Sequence, residues 1–403
     1  MRVDARQMHV VMVLGFCGLV SAADNWFVSP ALPSIAHGLS VAPTAAAIIL
    51  TAYMVPYGAL QPVCGAIGDR VGRLRLLRVI VAGLAVGTVL CALAPTIVLL
   101  AVARIVTGCF AAGIISVSQA FVGDVVGQEG RAGAVGLLMG ITFTGQGLSS
   151  GLGGVLTDLV GWRAAFVAFG ALAVLAWLLL FTLREPGRAV ASGAPGRFDV
   201  AGFLRDAVHV FLGPGRAVFV LACTTGVLFL GTYGFMGTFL AERCGLTSTQ
   251  AGLVMMLYGV LCLVGGSLSG GIAARGGLSR VVVIGETCGF LATTALLASF
   301  ASAGWAPALL AAALLGLGYI LTQPTSVTLS MDVDPERAGL CTGLVGFGVF
   351  VGGGVGSALG GIVLGAGGYA ALWGVAAIGL LVQRFASVRV LAGRRASRCG
   401  ANV

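Results

Sequence analysis

Long apolar runs separated by short charged or turn-forming stretches are the main pattern of this 403-residue chain. A run of about 20 apolar residues is what an α-helix needs to cross a bilayer core of about 30 Å. The pattern predicts twelve such spans, at residues 9–32, 43–65, 76–93, 97–123, 132–156, 162–183, 217–240, 251–273, 281–300, 305–329, 338–364 and 369–385. The strands of a membrane barrel would alternate polar and apolar residues, so the pattern indicates an all-α membrane protein.

One long polar stretch, residues 184–216, interrupts the apolar runs. It contains Pro186, Pro195 and Pro214 among mixed charges, a composition typical of a linker. The predicted domains are therefore an N-terminal bundle of six spans at residues 1–183, a cytoplasmic linker at 184–216, and a C-terminal bundle of six spans with a short cytoplasmic tail at 217–403.

The two halves also repeat each other in sequence. The segment from Gly65 to Gly72 matches the segment from Gly270 to Gly277, and Leu152-Gly-Gly-Val matches Leu359-Gly-Gly-Ile. The first pair lies at the ends of spans two and eight and the second within spans five and eleven, with nearly constant separation. The repeat predicts two pseudo-symmetric six-helix bundles, an arrangement in which the binding site lies between the halves near the middle of the membrane.

Composition excludes a water-soluble fold, because 58% of the residues are hydrophobic and only 9% are charged, against about a quarter in soluble domains. All 23 basic residues are arginine, and 20 of them fall on one side if both termini are cytoplasmic. Positive loops stay in the cytoplasm, so we predict a multi-pass protein of the plasma (inner) membrane with both ends inside. The net charge of +9 is spread over these loops, and no nucleic acid partner is expected.

The strongest local motif is Gly65-x-x-x-Asp69-Arg70-x-Gly72-Arg73-x-Arg75, in a predicted tight turn after the second span. Glycines let such a turn pack closely, an acid caps a helix N-terminus, and arginines bridge to acids elsewhere. We interpret the motif as a conformational latch built from Gly65, Asp69, Arg70, Gly72, Arg73 and Asp124. The alternative is a basic loop that only anchors the topology. The second-half copy has Ala274 in the place of Asp69, so only the first copy can form the full latch.

With this motif between spans two and three of a duplicated twelve-span chain, the sequence resembles the major facilitator superfamily. Arg104-x-x-x-Gly108, Pro30-Ala-Leu-Pro33 and Gly161-Trp-Arg-Ala-Ala-Phe166 are similar to its twelve-span drug/proton antiporter branch. The resemblance implies inward-open and outward-open states that alternate around a central cavity, with proton entry driving export.

The fifth span departs from that branch, which usually carries a Gly-Pro pair where this chain has Gly145-Gln146. The missing proline weakens the inference of proton exchange. Small residues nevertheless let helices approach closely in membranes, so we predict helix packing at Gly108, Gly145, Gly153 and Gly154.

Charges inside the spans are the next candidates, because an ionisable group in a bilayer core is costly and tends to be functional. At 1.5 Å per residue, Asp24 lies about 22 Å from the inner surface and Arg104 about 10 Å from the outer one, nearly the same depth. If both spans line the cavity, as the resemblance implies, the two charges can pair. We hypothesise that Asp24 carries the proton and that Arg104 adjusts its proton affinity, the alternative being a static ion pair.

A third intramembrane charge, Glu286, lies about six residues past Arg280 in the ninth predicted span. We expect it to snorkel toward the inner face or to lie on a peripheral helix. A second proton site is the alternative.

Aromatic and amide side chains near the middle of the spans are the candidate substrate contacts, because rings with a few hydrogen-bonding groups suit flat, largely apolar ligands. They are Asn25, Trp26, Tyr53, Tyr57, Gln119, Phe143, Gln146, Tyr233, Tyr258, Tyr319 and Gln323. For each residue taken alone, helix packing is the alternative and the more common role. The sequence shows no phosphate loop, nucleophile elbow or metal-ligand spacing, so we expect no enzyme activity, no cofactor and no metal.

The predicted function is proton-coupled export of a small hydrophobic drug or metabolite by a monomer in the lipid bilayer, with the proton gradient as energy source. A sugar or amino acid exporter, or a facilitator without proton coupling, is the nearest alternative. The aromatic character of the candidate contacts argues against sugars. A membrane sensor that binds without transporting is the alternative from another class.

Overall fold

The computed structural model describes residues 4–126, 128–185, 200–213, 215–334 and 337–400, and these residues form helices joined by short turns. The α-helices are α1 (Ala5–Trp26), α2 (Val28–Gly38), α3 (Pro43–Ala46), α4 (Ile48–Val71), α5 (Arg73–Leu93), α6 (Ile97–Ala111), α7 (Ile114–Val125), α8 (Gln128–Val160), α9 (Trp162–Leu179), α10 (Val200–Leu212), α11 (Arg216–Thr225), α12 (Gly231–Cys244), α13 (Ser248–Ser302), α14 (Ala306–Met331) and α15 (Ala338–Gly400). A 3-10 turn occupies Leu180–Thr182, and a π-helical turn, Gly226–Leu230, joins α11 to α12.

Ten segments of the described chain are long and apolar enough to cross a membrane. Helix α8, the predicted fifth span, is not one of them. The last segment, Gly339–Leu391, is broken at Gly368, and α13 is broken in the same way at Gly277, where the backbone leaves the helical region. Predicted spans therefore lie on either side of each break, while their total of twelve remains a prediction.

Glycines with positive φ make the sharp turns between consecutive helices, because a side chain rarely adopts that backbone conformation. The turn between α4 and α5 consists of Gly72 alone, with φ 95°. The predicted turn was thus too long: Gly65, Asp69 and Arg70 belong to the last turns of α4, whose helical hydrogen bonding continues to Val71. The predicted close packing at Gly65 was also wrong, since an added Cβ there would meet no atom within 4 Å.

The long helices run between two ends of the molecule. The basic end carries Arg73, Asp124 and Arg337, and the opposite end carries the turns at Gly161 and Gly245. The N-terminal half, up to residue 185, meets the C-terminal half mainly along two helix pairs, α8 with α13 and α4 with α15, and α2 also packs on α12.

Near the opposite end, glycines allow α8 and α13 to touch. A Cβ added at Gly147 would lie 2.7 Å from the Cα of Gly259, and one at Gly154 would overlap the backbone of Ser248. Of the other predicted packing glycines, Gly145 lies against Leu19, Gly153 against Phe27, and Gly108 against the backbone of Tyr53. Close backbone approach is thus made both within a half and between halves.

Toward the basic end, α8 and α13 separate. A Cβ added at Gly136 or Gly140 meets nothing within 4 Å, although both residues continue the face of α8 that carries Gly147. Helices α4 and α15 stay in contact further along, since a Cβ at Gly343 would lie 3.1 Å from the Cα of Pro62. The halves are therefore closed on each other at the opposite end and parted between α8 and α13 at the basic end.

The contact at Gly147 should be sensitive to any added side chain. Overpacking at a close contact lowers the free energy of unfolding by ~1–3 kcal/mol. Replacing glycine by leucine also raises helix propensity, by at most ~1 kcal/mol, and this gain is the same at every interior position of the helix. We expect Gly147→Leu to lower the melting temperature of the purified protein, by roughly 2–4 °C for each net kcal/mol. Gly140→Leu is the matched control and should melt at or above the wild-type temperature; equal melting of both variants would contradict the packing described.

Candidate functional site

An ion pair between Asp24 and Arg104 is buried within the N-terminal half. Helix α1 supplies the acid and α6 the base, and Nη1 of Arg104 lies 2.8 Å from Oδ2 of Asp24, with side chains 0% and 1% exposed. The same Nη1 donates to the backbone carbonyl of Asp24 at 3.2 Å. Thr88, on α5, donates its hydroxyl to Oδ1 of Asp24 at 2.8 Å. Three helices therefore meet at one carboxylate.

The guanidinium of Arg104 lies over an aromatic ring rather than among further hydrogen-bond acceptors. Its centre is 4.1 Å from the centroid of Tyr53, a cation–π distance, and the hydroxyl of Tyr53 donates to the carbonyl of Ser21. Nε and Nη2 of Arg104 are buried without an acceptor. Since buried donors are normally satisfied, this arginine has unused capacity for an acceptor beside Asp24.

Four aromatic side chains form a cluster where the two halves meet. Ring centroids are 4.9 Å apart for Trp26 and Tyr233, 4.3 Å for Tyr233 and Tyr258, and 6.1 Å for Tyr258 and Tyr319. We call this the aromatic cluster. Trp26 comes from the N-terminal half, two residues after Asp24, and the three tyrosines come from the C-terminal half. The cluster thus joins the ion pair to the facing helices.

Some buried polar atoms in the aromatic cluster or on adjoining helix turns lack partners. The hydroxyl of Tyr233 is bonded to Ser150 at 2.9 Å and lies 3.1 Å from the backbone carbonyl of Met255. The Tyr258 hydroxyl, Oδ1 of Asn25 and Oε1 of Gln146 are buried and unpartnered. Apolar rings with a few unsatisfied hydrogen-bonding atoms are the usual composition of a small-molecule site.

A cavity of about 480 Å³ lies in the gap between α8 and α13 toward the basic end, with α14 as its third wall. Its lining is mainly apolar and includes Met139 and Phe143 of α8, Cys262 and Leu263 of α13, and Pro324 and Thr325 of α14. Its volume is within the range of sites for drug-sized ligands.

The eleven candidate substrate contacts do not form one pocket. Six of them, Asn25, Trp26, Gln146, Tyr233, Tyr258 and Tyr319, lie in or near the aromatic cluster. Tyr53 and Tyr57 stack on each other beside Arg104, with ring centroids 5.7 Å apart. Phe143 lines the cavity, Gln119 bonds to Met139 behind its wall, and Gln323 is half-buried beside Pro324.

At the basic end, Arg73 at the start of α5 ties that helix to α7. It forms an ion pair with Asp124 on α7 and donates to the carbonyl of Ala120 at 2.6 Å. Glu185, which precedes the predicted linker's prolines, accepts from the N–H of Leu74 at 3.2 Å and so caps α5. Sequence reasoning missed Glu185. The side chains of Asp69 and Arg70 lie outside the described residues.

At the opposite end, a carboxylate of the N-terminal half caps a helix of the C-terminal half. The oxygens of Asp158, at the end of α8, accept from the N–H groups of Ser248 and Thr249 at 3.2 and 2.7 Å, at the start of α13. Burial acts to raise the pKa of Asp158, but hydrogen bonds from Thr249, Thr247 and Ser248 outweigh it and lower the pKa below its ordinary value. Sequence reasoning missed this contact too.

Glu286 corrects a prediction, because it does not snorkel. It lies on α13 after the break at Gly277 and is 0% exposed. The hydroxyl of Ser387, on α15, donates to its Oε1 at 2.6 Å. A polar partner on a neighbouring helix therefore holds the carboxyl inside the C-terminal half.

Relatives of the chain include resistance and export proteins. The puromycin resistance protein of Streptomyces alboniger is 29% identical over 58% of this chain and 48% of its own length. The tetracenomycin C resistance and export protein of Streptomyces glaucescens is 25% identical over 86% of this chain and 74% of its own. Alignments with two further relatives cover 64% and 36% of those proteins, so the chain spans about half the length of several relatives.

Solved transporter structures share the fold. A nucleoside transporter superposes with a TM-score of 0.76 at 13% identity, over 94% of this chain and 99% of that one. A bacterial homologue of the human lysosomal transporter Spinster, in an inward-facing and unoccupied conformation, superposes with a TM-score of 0.70 at 19% identity, over 96% and 95%.

The family profile described as Major Facilitator Superfamily matches residues 14–357, most of the chain. That match covers the ion pair, the aromatic cluster and the cavity, and the superposed transporters have the same helical architecture. The chain therefore belongs to the Major Facilitator Superfamily.

Proposed function

We propose that this transporter exports a small, mainly apolar compound in exchange for protons, by alternating access between its two halves. The observation that carries the proposal is the buried Asp24–Arg104 pair, which adjoins the aromatic cluster through Trp26. The puromycin and tetracenomycin relatives are named for resistance, and the second of them for export, which supports an exported substrate of that general kind.

The architecture that goes with this function is twelve spans in two six-helix bundles, residues 1–183 and 217–403, joined by a cytoplasmic linker. The breaks at Gly277 and Gly368 support it, since each divides a long helix between two predicted spans. We assign the chain to the twelve-span drug/proton antiporter branch and to the plasma membrane, as a monomer with both termini inside. On this assignment the basic end faces the cytoplasm, and the structure is open toward it.

Asp24 is the proposed proton carrier because its charge holds three helices together. While Asp24 is ionised, it holds Nη1 of Arg104 and the hydroxyl of Thr88. A proton on Asp24 cancels the attraction to Arg104, whose Nε and Nη2 already lack acceptors. The link from α1 to α6 and α5 then weakens beside Trp26, which faces the other half. Protonation and the contact between halves are thereby coupled.

The substrate contacts of the proposal are the aromatic cluster and the cavity below it. Aromatic rings bind flat apolar molecules, and the unpartnered Tyr258 hydroxyl and Gln146 carbonyl supply orientation by hydrogen bonding. The cavity toward the basic end is the entry route from the cytoplasmic side. The proton gradient supplies the energy, and no cofactor takes part.

Asp24→Asn tests the carrier. The amide keeps the shape of the carboxyl but cannot exchange a proton, so efflux driven by an imposed pH gradient in reconstituted vesicles should fall to the level of protein-free vesicles. Substrate exchange without a gradient should persist, because the substrate contacts are unchanged. Glu242→Gln, at an exposed acid bonded by Tyr369, is the control and should retain gradient-driven efflux. Undiminished gradient-driven efflux by Asp24→Asn would rule the assignment out.

Asp158→Ala tests closure at the opposite end. Loss of a capping carboxylate at this exposed site costs about 0.5–1 kcal/mol after solvent screening, which shifts the ratio of closed to open molecules about two- to five-fold. Distances between spin labels on α8 and α13 should report the shift, and Thr157→Ala, whose hydroxyl has no partner, should leave them unchanged. Unaltered distances in Asp158→Ala would show that the cap does not contribute to closure.

The same contact sets a pH dependence. Because the pKa of Asp158 is lowered in the closed arrangement, its contribution is complete above the ordinary aspartate pKa of about 3.9 and is lost as pH falls below that value. Wild-type label distances should therefore stay constant from neutral pH down to about 5, because Asp158 stays ionised over this range. A change of these distances above pH 5 would contradict this account of the cap.

A further inference from the structure

A second buried carboxyl, separate from the coupling pair, lies in the C-terminal half. Glu286 is 0% exposed, and its Oε1 accepts a hydrogen bond from Ser387. Its other oxygen, Oε2, is buried without a partner. Nothing in the proposed coupling mechanism uses this residue.

Helix α15 supplies a second neighbour of Glu286, the side chain of Gln383. Gln383 lies one helical turn before Ser387, on the same face of α15. Its amide nitrogen donates to the hydroxyl of Thr225 at 2.9 Å, on α11. Its carbonyl oxygen, Oε1, is buried and has no partner either. Two neighbouring residues thus each present an unsatisfied oxygen, and both oxygens are acceptors if Glu286 is ionised.

No counter-ion balances Glu286 among the described residues. Arg384 is the one charged side chain of the described chain that acts on it electrostatically, and no ion pair joins the two. The Nε of Arg384 donates instead to the hydroxyl of Thr287 at 2.9 Å. A buried carboxylate without a cation, with one oxygen lacking a hydrogen-bond partner, would carry a large desolvation cost.

A proton on Oε2 resolves both deficits, because it removes the charge and turns one of the two acceptors into a donor. We propose that Glu286 is a second proton-binding site of this transporter, in the C-terminal half, and that it holds its proton in the conformation described. The O–H bond forms on Oε2, and Oε1 continues to accept from Ser387. This site is distinct from Asp24, which is paired with an arginine.

A series of neighbouring residues connects the proton site to the aromatic cluster. Thr225, the partner of Gln383, is the last residue before the π-helical turn Gly226–Leu230. Phe229 of that turn packs on Gly289 of α13, and its ring lies 6.5 Å from that of Tyr319. π-helical turns often occur at functional sites. Because this turn leads directly into α12, loss of the proton would shift the helix that carries Tyr233. This consequence rests on the proposed function; proton binding itself does not.

Infrared spectroscopy of the purified full-length protein tests proton binding directly. At about pH 6 ordinary glutamates are ionised, so a carbonyl stretch from a protonated carboxylic acid marks an unusual group. We expect this band in the wild type, in Asp24→Asn and in Glu242→Gln, and we expect its loss in Glu286→Gln. No band in the wild type, or a band that survives in Glu286→Gln, overturns the proposal.

Two further measurements guard against misfolding and separate the two proposals. The amide of Glu286→Gln can donate to Gln383 as the protonated acid does, so this variant should melt within about 2 °C of the wild type, a shift of roughly 1 kcal/mol or less. Substrate affinity in the Asp24→Asn background should still change at least twofold between about pH 6 and 8, and Glu286→Gln should abolish this remaining change. A remaining change that persists in the double variant contradicts the link to the aromatic cluster. If Asp24→Asn retains gradient-driven efflux while the band belongs to Glu286, the carrier assignment fails and the second site stands.

Discussion

A charged side chain among apolar helices must be neutralised by another charge or by a proton, and this constraint governs where the molecule places its few acids and bases. Asp24 and Arg104 satisfy it by pairing at 2.8 Å. Glu286 is equally buried and has hydroxyl and amide neighbours but no base within pairing distance in the described chain. The two acids therefore differ in how their charge is managed, and each half of the protein contains one of them.

The contact between the halves depends on a second constraint, which is that glycines without side chains must lie where the helices touch. Along α8 and α13 the glycines bring the backbones together near the opposite end, and the same stripe of α8 opens into the cavity toward the basic end. Asp158 adds a hydrogen-bonded cap where the closed contact begins. A rocking motion that exchanges the open and closed ends would have to break this cap and separate Gly147 from Gly259, while Trp26 slides on the tyrosines of the facing half.

Sequence reasoning reached the apolar helices and the pairing of Asp24 with Arg104, because rise per residue is constant along a helix. It failed for Glu286, because its partners Ser387 and Gln383 lie about a hundred residues later on another helix. It could not group the aromatic residues, since hydropathy does not give the rotation of each helix about its axis. Asp158 and Glu185 were missed because a carboxylate that caps a distant helix has no characteristic spacing from the residues it caps.

The central claim, exchange of substrate for protons, is tested most directly by recording proton movement that the substrate itself drives. Vesicles containing the purified protein and a pH indicator would be loaded with substrate and diluted into substrate-free buffer at equal pH. The account predicts internal acidification that follows substrate efflux and is absent in vesicles without protein. Substrate efflux through the protein with no change in internal pH would contradict it.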